Sequence, residues 1–406
     1  MNQTCVIVGA SHAAAQLAPT LRQEGWEGRI IIIGDESYIP YHRPPLSKTF
    51  LSGGKGLDDI YIRPMMVYEK ADIEFMLNTR VDEIGRAGKR LALNNGESLP
   101  YDKLALTVGS RVRKVDLPGS ELGGVFYLRD VNDVEQIKTR IASGKKAVIV
   151  GGGYIGLETA AVLRKLGMDV TVLEMMERVL QRVTAAEVSA FYDRIHSEEG
   201  VKIHCGVGVT AIEGRGDVEK VICNDGSEFE ADLVVIGVGI LPNVELAAAA
   251  GLEVENGICV NEYACTSDPD IVAAGDCTSH HSILYDRAIR LESVQNATEQ
   301  ARVAALSLCG KEKVYDALPW FWSDQFDLKL QIAGLSQGYD EVIIRGDQDN
   351  SRSFAAFYLK EDVVISVDAV NKAPEFMAGK RLINGKVKMD KAQLADENIP
   401  IKELIK

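Results

Sequence analysis

Ala147-Val148-Ile149-Val150-Gly151-Gly152-Gly153-Tyr154-Ile155-Gly156 is the stretch whose reading decides the fold. Four apolar residues of strand type run into three glycines and a fourth one three positions on, and residues 157–166 continue with helical spacing. Residues 170–173 then form a second strand-like run that ends in Glu174. Each glycine has its own physical task. Gly151 permits a tight turn, Gly153 lets the main chain approach a pyrophosphate, and Gly156 lets the helix pack closely on the strand. The helix start offers unpaired N–H groups and the positive end of its dipole to phosphates. Glu174 stands where a carboxylate accepts the ribose hydroxyls and repels a 2′-phosphate, which points to NADH rather than NADPH.

Working outward, the chain opens on a weaker copy of the same pattern. Cys5-Val6-Ile7-Val8-Gly9 reads as a buried strand, Ala10-Ser11-His12-Ala13-Ala14-Ala15 opens a helix running to about Gln23, and residues 29–33 form a strand before Gly34-Asp35-Glu36. Ser11 and Ala14 stand where the fingerprint has its second and third glycines, so a plain βαβ unit is the alternative. The echo extends to the ends of both copies. Leu91-Ala92-Leu93-Asn94-Asn95-Gly96 precedes an apolar run to Gly109, and Val221-Ile222-Cys223-Asn224-Asp225-Gly226 precedes one through Gly237 to Gly239. Asn-Gly and Asp-Gly are hairpin turn signals. The pattern is that of two related nucleotide-binding domains in series.

Length and composition set the frame. At roughly 150 residues per domain, 406 residues make two to three domains. A net charge of −14 makes the chain a poor binder of nucleic acid or of anionic membrane. No apolar run approaches the roughly 18 residues of a membrane span. The opening Met1-Asn2-Gln3-Thr4 leaves no room for a signal peptide before the first strand, so a cytoplasmic protein is expected. The seven cysteines form no CxxC pair and no cluster of metal-ligand spacing, as expected of reduced thiols and no metal site.

Two dinucleotide sites on one chain suit a hydride carrier and a tightly held flavin, whose rings must meet for hydride transfer. Asp270-Ile271-Val272-Ala273-Ala274-Gly275-Asp276 fits this as a strand that delivers a carboxylate to a ribityl hydroxyl. The alternative for Asp276 is a helix N-cap.

In order along the chain, Val6–Ala14, Gly34-Asp35, Arg43-Pro44-Pro45-Leu46-Ser47-Lys48, the Gly151 turn, Gly237-Val238-Gly239, Gly275-Asp276 and Trp320-Phe321-Trp322-Ser323-Asp324-Gln325 resemble the NADH-dependent ferredoxin reductases of bacterial oxygenase systems. The resemblance spans essentially the whole chain. It implies an α/β fold of two Rossmann-like domains, for FAD and NAD, plus a small α+β C-terminal domain. It also implies hydride transfer from NADH to FAD, then single electrons to a [2Fe–2S] ferredoxin serving an oxygenase or cytochrome P450. Rubredoxin or another one-electron acceptor is the nearest rival partner, and a non-catalytic NADH/FAD redox sensor is a rival of another class. The protein would be a monomer or weak homodimer.

Residue by residue, the resemblance assigns the Gly9, Ser11, His12 and Ala13 turn and Asp35 to the adenosine half of FAD, with Val81 at the adenine. Arg43 joins the flavin site, and Arg129 takes the pyrophosphate. Lys48, Pro45 and Trp322 lie by the flavin ring, Asp276 on the ribityl chain and Val294 at the pyrimidine edge. For the second nucleotide it assigns Gly151, Gly153, Tyr154, Ile155 and Gly156 to the turn, Glu158 to the nicotinamide carboxamide, Glu174 to the ribose, and Gly237 and Gly239 to the ring pocket. Lys48 and Glu158 would pair as the catalytic residues; the alternative for Lys48 is a surface lysine after a proline-rich loop. Ser11 crowds a pyrophosphate that glycine would admit. His12 beside it either helps hold a phosphate or is simply exposed at a helix start.

The cysteine distribution separates related enzymes. Disulfide reductases of this architecture need a thiol pair by the flavin, yet the first 114 residues contain only Cys5, and residues 320–406 contain neither cysteine nor histidine. Electrons must therefore leave directly to an external carrier. The expected domains are 1–114 with 240–319 for FAD, 115–239 for NAD, and 320–406 as a C-terminal module of four strands and a helix. Within that module Lys372, Lys380, Arg381, Lys386, Lys388 and Lys391 face only Glu375 and Asp390 in the same stretch. Such a patch, with Arg287, Arg290 and Arg302 added, would steer an acidic partner; a solvated helix face is the alternative. Trp320 and Trp322 would either conduct electrons or serve as core aromatics.

Overall fold

The computed structural model describes residues 3–405; Met1 and Asn2, on which part of the amino-terminal reading falls, and Lys406 lie outside the described residues. Contacts gather the chain into two compact units. One holds the chain up to His42, Leu57–Arg111 and Ile240–Pro319; the other holds Arg43–Gly56, Val112–Gly239 and the chain from Trp320 onward. The sequence-based expectation has three parts and keeps residues 43–56 with the first. In the structure that segment goes with the second unit, where Arg43, Ser47 and Lys48 find their polar partners.

The first unit is built on a parallel sheet in the order Ile271–Ala273, Lys103–Leu106, Thr4–Val8, Arg29–Ile33, Ile73–Met76. Ile30, Ile31, Ile32 and Ile33 are all buried, as expected of a β-branched run covered on both faces. Each such side chain contributes about 1.5–3 kcal/mol on burial. The helix His12–Gln23 packs against Val294–Leu308, and Ala13, Ala14, Ala18, Ala297, Ala301 and Ala304 belong to one buried cluster. Pro19 lies inside the first helix and removes a donor to the carbonyl four residues back. That carbonyl, of Ala15, accepts from the Arg63 guanidinium instead.

The second unit repeats the plan. Its parallel sheet runs Lys202–Cys205, Asp169–Glu174, Lys146–Val150, Leu233–Ile236, Val125–Tyr127. The echo holds in detail. Gly9 N–H donates to Ile33 O and Gly151 N–H to Leu173 O, both at 2.8 Å. The two Gly-closed hairpins share the same turn bonds, Leu93 with Glu97 and Gly96, Cys223 with Ser227 and Gly226. Each carries a glycine at φ +83°. One strand is supplied differently: Val125–Tyr127 takes the sheet position that Ile271–Ala273 takes in the first unit.

The same unit carries an antiparallel sheet in the order Trp320–Gln325, Leu328–Gly334, Val363–Val370, Phe354–Lys360, Glu341–Gly346, with the helix Ala373–Asn384 packed on it. Two expectations change. The Trp-Phe-Trp segment is itself a strand, the fifth of this sheet and an edge. The helix after the Gly151 turn begins at Tyr154 rather than at residue 157, so Gly156 lies within it. Gly153, in extended conformation at φ −80°, ψ −179°, is its cap, and the turn residues already bond as helix. Among the described residues no helix is long and apolar enough to cross a membrane.

Candidate functional site

The glycines of the second turn are explained by their neighbours. Gly151 has φ +112°, and a Cβ there would lie 2.5 Å from Gly237 O. A Cβ on Gly156 would lie 2.1 Å from Gly151 O, so a side chain would push the helix off the turn. A Cβ on Gly153 or on Gly239 would meet nothing within 4 Å. Their emptiness has no use for packing and leaves room for ligand atoms. Glu174, at the strand end, is drawn into the turn: Gly152 N–H donates to one carboxylate oxygen at 2.7 Å and Met176 N–H to the other at 2.8 Å. Each oxygen keeps a lone pair for a ribose hydroxyl. Arg178, the nearest following cation, donates its guanidinium hydrogens to Ala185 O, Gln181 O and Ser189 Oγ. Ile155 is exposed at the turn. The Tyr154 hydroxyl is buried without a partner, and burial pushes its titration well up.

The first turn is built alike, with differences. Gly9 has φ +106°, and its Cβ would lie 2.2 Å from Thr107 O. Ser11 takes the place of Gly153 as the extended residue before the helix. Ala13 and Ala14 are buried in the packing behind. His12 is buried too, its ring 5.4 Å from that of His42, which removes the reading of a histidine merely exposed at a helix start. Gly34 is the register counterpart of Glu174, because Val8 pairs with Ile33 as Val150 pairs with Leu173. The exposed Asp35 therefore sits one residue further out. Val81 is buried at the start of its hairpin, paired with Leu93.

Asp276 is no N-cap: the chain after it enters the strand Thr278–Ser282. Its carboxylate accepts from Ser110 Oγ at 2.9 Å. Gln300 sets the turn before it, its side-chain oxygen accepting from Gly275 N–H and Thr278 Oγ1. The N-cap role falls instead to Asp130, which follows the strand holding the equivalent place and forms a capping box with Asp133. Val294 is the first residue of its helix, capped by Ser293.

The helices after the two glycine turns have no side-chain cap and no acid in their first turn. Their leading N–H groups and positive dipole ends thus face no carboxylate of their own, the donor set a pyrophosphate needs. With the open volume at Gly153 and Gly239, these residues fit two dinucleotides.

In the second unit Lys48 and Glu158 meet. Arg43-Pro44-Pro45-Leu46-Ser47 turns through a short 3₁₀ helix, Pro44–Ser47, that aims Ser47 and Lys48 the same way. Glu158 lies in the second turn of the helix Tyr154–Lys165 and is 2% exposed. Lys48 Nζ lies 2.7 Å and Ser47 Oγ 2.5 Å from Glu158 Oε2, and Ser323 Oγ lies 2.6 Å from Oε1. Lys48 also donates to Pro44 O at 3.3 Å. It is thus no surface lysine: a buried carboxylate with three donors holds it. Arg43 donates to Arg129 O at 2.9 Å, and Arg129 N–H to Asp133.

The strand Trp320–Gln325 divides its residues by alternation. Phe321 packs edge-on against Tyr154, and Ser323 and Gln325 follow on that side. Trp320 and Trp322 take the other side, with ring centroids 5.9 Å apart, both half-buried rather than core. Lys380 sits 5.4 Å from the Trp320 ring centroid. The basic stretch is partly neutralised: Lys372 pairs with Glu397, and Lys391 with Glu341 and Asp362. Among the described residues Lys380, Arg381, Lys386 and Lys388 form no ion pair, while Arg287, Arg290 and Arg302 belong to the first unit. Ser47, Ser323, Gln325 and His196 are the polar partners that motif reading missed; the period-two pattern of 320–325 was the available signal for two of them.

All seven cysteines are free thiols. Burial pushes the Cys277 thiol up to about 12 and that of Cys5 further still, so neither is a nucleophile.

Comparison with known proteins agrees in both parts of the chain. Residues 3–301 match the pyridine nucleotide-disulphide oxidoreductase family, and residues 320–405 match a reductase C-terminal family. Putidaredoxin reductase of Pseudomonas putida is 45% identical over 410 aligned residues, covering 100% of this chain and 97% of that protein. A rubredoxin-NAD(+) reductase of Pseudomonas putida is 36% identical, covering 90% of this chain and 95% of that one. A crystal structure of a covalent putidaredoxin reductase–putidaredoxin complex superposes with a TM-score of 0.96 at 44% identity, covering 100% of this chain and 98% of that one.

Proposed function

The chain belongs to the pyridine nucleotide-disulphide oxidoreductase family, and from that premise we propose that it is the reductase of a bacterial oxygenase or cytochrome P450 system, drawing on NADH and FAD and delivering electrons to a [2Fe–2S] ferredoxin. The observation that carries the reading is the end-to-end match to putidaredoxin reductase, C-terminal module included. Rubredoxin is the second partner to test, because a rubredoxin reductase also matches over nine-tenths of the chain.

Bound FAD supplies the step from hydride to single electrons. The chain supplies binding, orientation and charge. The Gly9–Ala13 turn, with Asp35, Val81, Asp276 and Val294, holds FAD. The Gly151–Gly156 turn binds the NADH pyrophosphate through main-chain N–H groups, and Glu174 takes the ribose and disfavours NADPH. Lys48, fixed by Glu158, is a cation in a site of low dielectric, where it favours the negative charge that a hydride brings. No general acid or base is needed at the hydride step, because positioning dominates it. A division into FAD, NAD and C-terminal parts, and a cytoplasmic location, complete the reading.

Adding NADH to the purified yellow holoprotein without oxygen tests this directly, since flavin absorbance must bleach, and faster than with NADPH. NADH-driven cytochrome c reduction must then rise on adding a ferredoxin or a rubredoxin. A flavin that NADH does not bleach, or a rate that neither carrier stimulates, refutes the proposal.

A further inference from the structure

The hydrogen bonds to Glu158 continue inward in one direction. Ser323 Oγ donates to Glu158 Oε1 at 2.6 Å, Gln325 Nε2 lies 3.1 Å from Ser323 Oγ, and Gln325 Oε1 lies 2.8 Å from His196 Nε2. The amide oxygen can only accept, so His196 carries its proton on Nε2. Its Nδ1 is buried without a partner, and burial holds the ring's titration down at about 4, so the ring is neutral at physiological pH. Every donor in the row therefore points toward the carboxylate: His196 to Gln325, Gln325 to Ser323, Ser323 to Glu158. Ser323, Gln325 and His196 are all buried. Chains with all donors aligned polarise one another, and an incomplete buried chain is costly. The three residues come from two different elements, the helix Ala186–Glu198 and the edge strand Trp320–Gln325.

We propose that His196, Gln325 and Ser323 are positioning residues for hydride transfer: this row fixes one oxygen of Glu158 so that the other holds Ser47 and Lys48. Among the described residues Glu158 is the acceptor on which the row ends. Without Ser323 the carboxylate is free to turn toward the vacated side, and Lys48 loses its fixed place. The proposal rests on the reading of Lys48 and Glu158 as the pair at the reacting rings.

The test uses full-length holoenzyme with S323A, S323T and Q325L. Stopped-flow reduction by NADH gives the limiting rate and the NADH affinity separately. S323A is expected to lower the limiting rate roughly tenfold, the worth of one hydrogen bond to a charged group, with affinity nearly unchanged. S323T, which keeps the hydroxyl, restores it, and Q325L gives a smaller loss of about threefold. An independent readout needs no turnover. Acylation of Lys48 in the oxidised holoenzyme without NADH, followed by peptide mass spectrometry, is expected to be several-fold faster in S323A than in wild type or S323T. If S323A does not fold, Q325L decides: a wild-type limiting rate and wild-type Lys48 labelling overturn the proposal. The same result in a folded S323A overturns it as well. If wild-type holoenzyme is not reduced by NADH, the functional reading fails instead, and Lys48 labelling alone judges the positioning row.

Discussion

Pairing of Lys48 with Glu158 has a measurable energetic signature. Glu158 is almost fully buried, and the Lys48 side chain is 16% exposed. Lys48→Met removes the cation and leaves the carboxylate with Ser47 and Ser323 as donors. Stranding one member of a buried pair costs about 3–5 kcal/mol; the two hydroxyls and partial access of water place this change near about 3 kcal/mol. Glu158→Gln keeps the shape but turns an amide N–H₂ toward at least one donor, which costs about as much. The double variant leaves no unpaired charge, so its total should be about 3–4 kcal/mol rather than the sum, with a coupling of about 2–3 kcal/mol. The two units need not unfold together, so the assay must be local. Native-state hydrogen exchange of peptides from the helix Tyr154–Lys165, at increasing urea, reports the free energy of opening at Glu158 itself. Additivity of the two changes within about 0.5 kcal/mol would refute the argument that the pair is held as a buried unit.

Three further perturbations test other parts of the structure. Burial pushes Asp368 up to about 7, against a smaller opposing effect of the hydrogen bond from Tyr358, so the native state keeps a proton that the unfolded chain has lost. Stability should therefore fall as pH rises from the ordinary carboxylate range to about 7, and Asp368→Asn should flatten that slope; parallel thermal-midpoint curves from pH 5 to 8 would contradict it. Ser11→Gly should slow FAD release about fivefold, seen as retained flavin after dilution, because the hydroxymethyl group that crowds the turn is removed and no side-chain cap bond of the helix is lost with it. Lys380→Glu should raise the ferredoxin concentration needed for half-maximal rate, increasingly so at low salt, and leave the NADH-driven bleaching rate unchanged; a change in bleaching alone would move Lys380 out of the docking role.

The repeated architecture was legible because it is written in local rules. A glycine at positive φ, a β-branched run buried on both faces and an Asn-Gly or Asp-Gly turn depend on a few adjacent residues, so the central strands of both sheets and both hairpins read directly from the chain, whereas the outer strands Ile73–Met76, Val125–Tyr127 and Lys202–Cys205 did not. The helix start at Tyr154 was missed by three residues because glycine inside a first turn reads as loop, although Gly156 is required there by the carbonyl of Gly151. The Trp-Phe-Trp segment read as a motif rather than a strand, since aromatic bulk hid its alternation.

What the residues alone determined is the doubled dinucleotide-binding plan, its acidic strand ends and the lack of a thiol pair by the first turn. All of these are properties of composition and short spacing. What only the tertiary structure decided is which polar groups share a buried place. Lys48 and Glu158 lie 110 positions apart, Ser323 another 165 beyond Glu158, and His196 on a third element. Their partnership follows from desolvation: once the sheets close over Glu158, each of its oxygens must find a donor, and the donors that reach it are set by packing geometry that no local pattern encodes.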